Sequence, residues 1–89
     1  MQRRTYHFSG HVQGVGFRYT ARHIAAGHAV TGYVRNLEDG RVELVMEGDP
    51  TELDAVLEGV QGEMGRNISR VTCDTGPATG EFKDFAVRH

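Results

Sequence analysis

From Arg3 to Val12 the chain alternates, with Tyr6, Phe8, Gly10 and Val12 on one side and Thr5, His7, Ser9 and His11 on the other; from Phe17 the period lengthens to that of a helix. Phe17, Ala21, Ile24, Ala25 and His28 then share one helical stripe, opposite Tyr19, Arg22, His23 and Ala26. A half-buried strand therefore hands over to an amphipathic helix running from Phe17 to about His28. The connector, within "GHVQGVGFR", offers little to a core. An apolar helical stripe and a one-sided strand must bury their apolar sides against each other or against further elements of the same kinds, which points to helices layered on a sheet.

The rest of the chain supplies those elements. "VTGYVRN" and "RVELVME" read as two strands joined by "LEDG", where Asp39-Gly40 suits the positive φ of a tight turn, and so as a hairpin. Asp49, Pro50 and Glu52 form a helix start: a carboxylate cap, proline at the first helical position and an acid three residues after the cap. Leu53, Val56, Leu57, Val60 and Met64 continue its apolar face. Gly59, Gly62 and Gly65 each cost about 1 kcal/mol relative to alanine in a helix interior, so the helix is expected to fray or stop near Gly62. "NISRVTCDT" and "FKDFAVRH" are strands separated by "GPATGE". The order is βαββαβ with an additional C-terminal strand. The preference for right-handed crossovers then predicts an α+β, ferredoxin-like sandwich, two helices on one face of a mostly antiparallel sheet. At 89 residues, residues 1–89 are expected to form a single domain.

Composition narrows the partners. A hydrophobic fraction of 38% with 25% charged residues is that of an ordinary folded domain rather than a disordered chain. The net charge of −2 gives no global attraction to nucleic acid or to a membrane surface, so neither is expected as a partner, and a monomer is the default. No segment approaches the roughly 20 apolar residues of a membrane span, and "MQRRTYHF" does not read as an export signal. Cys73 is the one cysteine, which allows no internal disulfide, and a cytoplasmic location is expected. On that expectation the sequon Asn67-Ile68-Ser69 has no physical consequence.

The glycine connector carries the chemistry. Backbone amides that turn inward just before a helix can bind an oxyanion, because the amide dipoles and the unpaired first helical turn both face negative charge. Gly10, Gly14 and Gly16 permit that close approach, although glycines between a strand and a helix also make plain tight connections. Arg18 shifts the balance toward an anion site. Its planar fork can close over the same ligand, and an arginine at a helix N-terminus opposes the macrodipole unless an anion or another partner compensates. Asn36, at the end of the second strand, offers a donor and an acceptor, suited either to orienting a water molecule or to a turn beside "LEDG". Arg35, its neighbour, should face the other way. His7, His11, His23 and His28 show no metal-ligand pattern, His11 reads as an exposed strand-end residue, and Cys73 is expected to pack as a small apolar side chain.

"GHVQGVGFR" and "GYVRNLEDGRVELVMEG" resemble the two signature segments of the acylphosphatases. The first matches at Gly10, Val12, Gln13, Gly14, Val15, Phe17 and Arg18, the second at Gly32, Tyr33, Val34, Arg35, Asn36, Gly40, Val42 and Gly48, both without gaps. The resemblance implies hydrolysis of small acyl phosphates to a carboxylate and inorganic phosphate, without metal or other cofactor. It implies that Gln13, Gly14, Val15, Gly16, Phe17 and Arg18 form the phosphate cradle, Arg18 holding the phosphoryl oxygens, and that Asn36 positions the attacking water. An acyl phosphate is an activated mixed anhydride, so positioning and charge stabilisation suffice, and a phosphoryl oxygen of the substrate can take the water's proton. The chain departs from the family pattern at His28-Ala29 and at Gly65-Arg66. Ala29 would be strained in a left-handed helix cap, so Gly27 or a shifted helix end is expected there. Two other readings stay open: a module that binds a phosphate-bearing ligand without turnover, and a carbamoyl-phosphate-handling domain like those of hydrogenase-maturation proteins.

Overall fold

The computed structural model describes all residues from Met1 to His89. Five strands, β1 (Gln2–Gly10), β2 (Val30–Asn36), β3 (Val42–Gly48), β4 (Ile68–Pro77) and β5 (Phe85–Arg88), form one sheet in the order β4-β1-β3-β2-β5. Three of the pairings are antiparallel, and only β2 with β5 is parallel. Helix α1 (Phe17–Ala25) follows β1, and α2 (Pro50–Met64) follows β3. The core is the strand face bearing Tyr6, Phe8, Val34, Val42, Leu44 and Met46, closed by Phe17, Ala21 and Ala25 of α1 and by Leu53, Val56 and Val60 of α2. This is the α+β, ferredoxin-like arrangement that the element order and the crossover preference predict.

Element ends differ from the sequence reading for local reasons. β1 stops at Gly10, where φ is +123° and the register with β4 shifts, yet Val12 still buries its side chain in the core. α1 ends at Ala25, because the amides of Gly27 and His28 turn back to Ile24 and Ala25 in tighter three-residue steps. The helix end has therefore shifted: no left-handed residue caps it, Gly27 included, and the Ala29 amide is taken by Glu52 Oε1 at 2.9 Å. That contact also diverts Glu52 from the expected capping box. The Asp49 carboxylate makes no cap hydrogen bond, and the Asp49 carbonyl receives the Glu52 and Leu53 amides instead.

α2 does not stop near Gly62 but continues to Met64 before a short 3-10 turn, Gly65–Asn67. Burial of Val60 and Met64 holds that last stretch, so tertiary packing overrides glycine's weak propensity. Gly59 has a role of its own: a Cβ there would lie 2.9 Å from Ile24 Cγ2, so the glycine lets α2 approach α1. β4 runs on through Gly76 and Pro77, which an edge strand tolerates because proline's missing amide is not needed by a neighbour. Cys73, on the same edge, is exposed rather than packed.

Candidate active site

The sheet order brings together two segments that the sequence keeps apart. β1 and β2 flank β3 and run antiparallel to it, so both finish beside Val42, Phe8 pairing with it from one side and Asn36 from the other. The loop that leaves β1 thus arrives next to the last residue of β2. Within that loop Gly14 and Gly16 have φ of +76° and +77° with open space around them, so glycine is required there by the left-handed backbone and not by crowding.

Gly16 is also the N-cap of α1. It supplies no side-chain cap, the first turn contains no acid, and the helix opens with the Thr20 amide donating to the Gly16 carbonyl at 3.0 Å. The amides before Thr20 have no partner within the helix, and no acidic side chain in the first turn offsets the positive end of the helix dipole. α2 begins differently, with proline removing one amide donor and Glu52 placing a carboxylate in the first turn.

A cavity of about 220 Å³ opens at this end of α1. Gly14, Gly16, Phe17 and Arg18 border it from the loop and helix, Asn36 from β2, with Val12 and Tyr19 completing the lining. Phe17 turns its ring inward onto Phe8, centroids 4.9 Å apart, so that its backbone is left at the cavity. The other two expected cradle residues lie outside this lining. Val15 packs against the core, and Gln13 Nε2 donates to the carbonyls of Leu37 at 2.7 Å and Arg41 at 3.0 Å. The Gln13 side chain thereby ties the loop to the β2–β3 turn.

That turn closes without Asn36. The Leu37 amide donates to the Arg41 carbonyl at 2.8 Å, Gly40 donates to Leu37 at 3.2 Å, and Asp39 accepts from the Arg41 amide and Nε. Arg35 faces away from the cavity, as alternation requires, and donates to Glu43 at 2.8 Å. Glu43 also accepts from the Tyr33 hydroxyl and faces His7 Nε2, both at 2.9 Å. Burial pushes the Glu43 carboxyl up, but the bonds from His7, Tyr33 and Arg35 outweigh it and leave it below the usual carboxylate range.

Arg18 is held lightly. Its Nη1 donates to the Arg88 carbonyl at 3.3 Å and meets His89 Nδ1 at 3.2 Å, both longer than a well-made charge-assisted bond. Arg88 is itself fixed, its guanidinium 3.8 Å from the Tyr33 ring centroid. Arg88, His89 and Tyr19 are the neighbours that sequence reasoning missed. The first two arrive only through the parallel pairing of β5 with β2. Tyr19 had a visible signal, an aromatic on the polar stripe of α1, and it is 56% exposed.

Comparison with known proteins gives the family of the chain. Residues 4–87 match the acylphosphatase family model. An acylphosphatase of Acaryochloris marina is 44% identical over 80 residues, which span 89% of this chain and 85% of that protein. The crystal structure of the acylphosphatase from Bacillus subtilis superposes with a TM-score of 0.89 at 26% identity, covering both chains completely. HypF from T. kodakarensis contains a similar unit, with a TM-score of 0.84 and 32% identity over all of this chain and 12% of that one. With the family match running nearly from end to end, the chain belongs to the acylphosphatase family of enzymes.

Proposed function

We propose that this protein hydrolyses the carboxyl–phosphate bond of small acyl phosphates, giving a carboxylate and inorganic phosphate. The observation that carries the reading is the meeting of Arg18, Asn36 and the glycine loop around one cavity at an uncapped helix N-terminus. The phosphoryl group sits against the loop amides from Gln13 to Phe17 and the first turn of α1, with Arg18 neutralising its oxygens. Asn36 orients a water molecule toward phosphorus. The water oxygen forms the new P–O bond, the bond from phosphorus to the acyl oxygen breaks, and its electron pair leaves with the carboxylate. A phosphoryl oxygen accepts the water's proton, so no side-chain base, metal or cofactor is required. Gln13 serves chiefly through its amide and through the tie to Leu37 and Arg41.

No helix is long and apolar enough to cross a membrane. A monomer acting in the cytoplasm on a small-molecule substrate, with no nucleic-acid or membrane partner, completes the proposal. A module that binds phosphate ligands without turnover would use the same cleft. Release of phosphate from acetyl phosphate by the purified protein separates the two, hydrolysis no faster than in buffer favouring the binding module. Hydrolysis in water labelled with heavy oxygen is expected to place the label in phosphate; label in acetate would move the attack to the carbonyl carbon.

A further inference from the structure

Tyr19 stands out among the large apolar side chains, most of which are buried. It and Met1 are the exposed ones, Tyr19 at 56%, and Tyr19 lines the cavity just described. Tyr19 also lines two further grooves along α1. One, of about 370 Å³, runs over Thr20, His23 and Ile24 to Glu63 of α2; the other, of about 380 Å³, runs over Arg22 and His23 to Ala26. The position is fixed by helix geometry: Phe17 points into the core, so the residue two places on emerges on the solvent side of the same turn, next to Arg18.

We infer that Tyr19 forms the acyl subsite, its ring receiving the organic group of the acyl phosphate and favouring a flat, uncharged aromatic one. The inference rests on the phosphate-cradle reading above. With the phosphoryl group against the loop amides, the acyl group extends toward the rest of the lining, and Tyr19 borders both the cleft and the two neighbouring grooves. A tyrosine ring gives a large contact area with few rotatable bonds and pairs with another ring edge-to-face or offset. Ile24 adds apolar surface behind it, and His23 a second flat ring. The Glu63 carboxylate at the far side of the same groove disfavours an acyl group that ends in a second carboxylate.

The test is the ratio of kcat/KM for benzoyl phosphate to that for acetyl phosphate in the wild type, Tyr19→Ala and Tyr19→Phe. The ratio is expected to fall roughly five-fold in Tyr19→Ala and to return to the wild-type value in Tyr19→Phe, which keeps the ring. Because an unfolded fraction lowers both rates equally, the ratio is insensitive to it. An unchanged ratio in Tyr19→Ala overturns the subsite, whatever happens to the two rates separately. A wild type that hydrolyses neither substrate overturns instead the hydrolytic reading on which the subsite rests.

Discussion

Two charges at opposite ends of the sheet are treated in opposite ways. Glu47, near the end of β3, is 3% exposed and accepts from the Thr79 hydroxyl at 2.7 Å, the Gly80 amide at 2.9 Å, the Thr79 amide at 3.0 Å and Arg3 Nη1 at 3.3 Å. Arg18, at the other end, has two long contacts and an open cavity in front of it. A buried charge must be saturated with partners or it destabilises the fold. An arginine left partly unsaturated beside unpaired helix amides retains its capacity for a ligand. Glu47 thus serves architecture, pinning Thr79 and Gly80 of the β4–β5 loop to the sheet, and Arg18 serves the proposed chemistry.

This contrast can be broken by substitution. The largest effect is expected from Arg18→Ala, which should lower kcat/KM for acetyl phosphate roughly 10³-fold, as loss of an arginine that stabilises a phosphoryl transition state does. Its urea midpoint should stay near that of the wild type; a large shift would make Arg18 a second structural charge and erase the distinction. Asn36→Ala is expected to lower kcat roughly 10²-fold, the scale of one missing orienting group, while inhibition by inorganic phosphate changes little. Equal loss of turnover and of phosphate binding would assign Asn36 to structure.

Glu47→Gln should reverse the pattern, costing about 2 kcal/mol in chemical denaturation with little change in activity per folded molecule. Burial pushes the Glu47 carboxyl up, but the bonds from Thr79, Gly80 and Arg3 outweigh it and hold it below its ordinary 4.5. The unfolded chain therefore binds this proton more readily. The stability that Glu47 contributes is complete above about pH 4.5 and is lost as pH falls through the lower folded value. Denaturation curves across that range should show a shallower acid limb in Glu47→Gln than in the wild type. The smallest effect, about 1 kcal/mol, is expected for Gln13→Ala, which removes the two bonds to the β2–β3 turn. If it loosens the cradle, KM should rise more than the stability loss explains; if only stability moves, Gln13 belongs with Glu47.

The candidate site was legible in unequal parts. Gly14, Gly16 and Arg18 could be read as an anion site because local rules govern them: positive φ at the glycines, an uncapped helix start and a charge opposing the dipole. Asn36 had no local signal separating it from a turn residue, and only its place in the second family segment marked it. Nothing near Gln13 announces that its side chain would reach Leu37 and Arg41, and nothing near Arg88 or His89 connects them to Arg18. Those contacts are set by strand pairings between residues far apart in the chain. Helix ends depart from the local expectation where a tertiary contact competes with it, as where Glu52 bonds to Ala29 and where Val60 and Met64 carry α2 past Gly62.

By itself, the sequence determined the identity and order of the elements, the faces that build the core and the glycine loop before α1. Each follows from periodicities and backbone preferences that act over a few residues. The tertiary structure decided which of these meet. Placing β3 between β1 and β2 set Asn36 beside the loop, and pairing β5 with β2 laid Arg88 and His89 against Arg18. It also turned Glu47 from an ordinary strand glutamate into a buried anchor. The physical reason is the same in each case: a hydrogen bond or cavity shared by distant segments depends on sheet order and register, which residue-by-residue preferences do not contain.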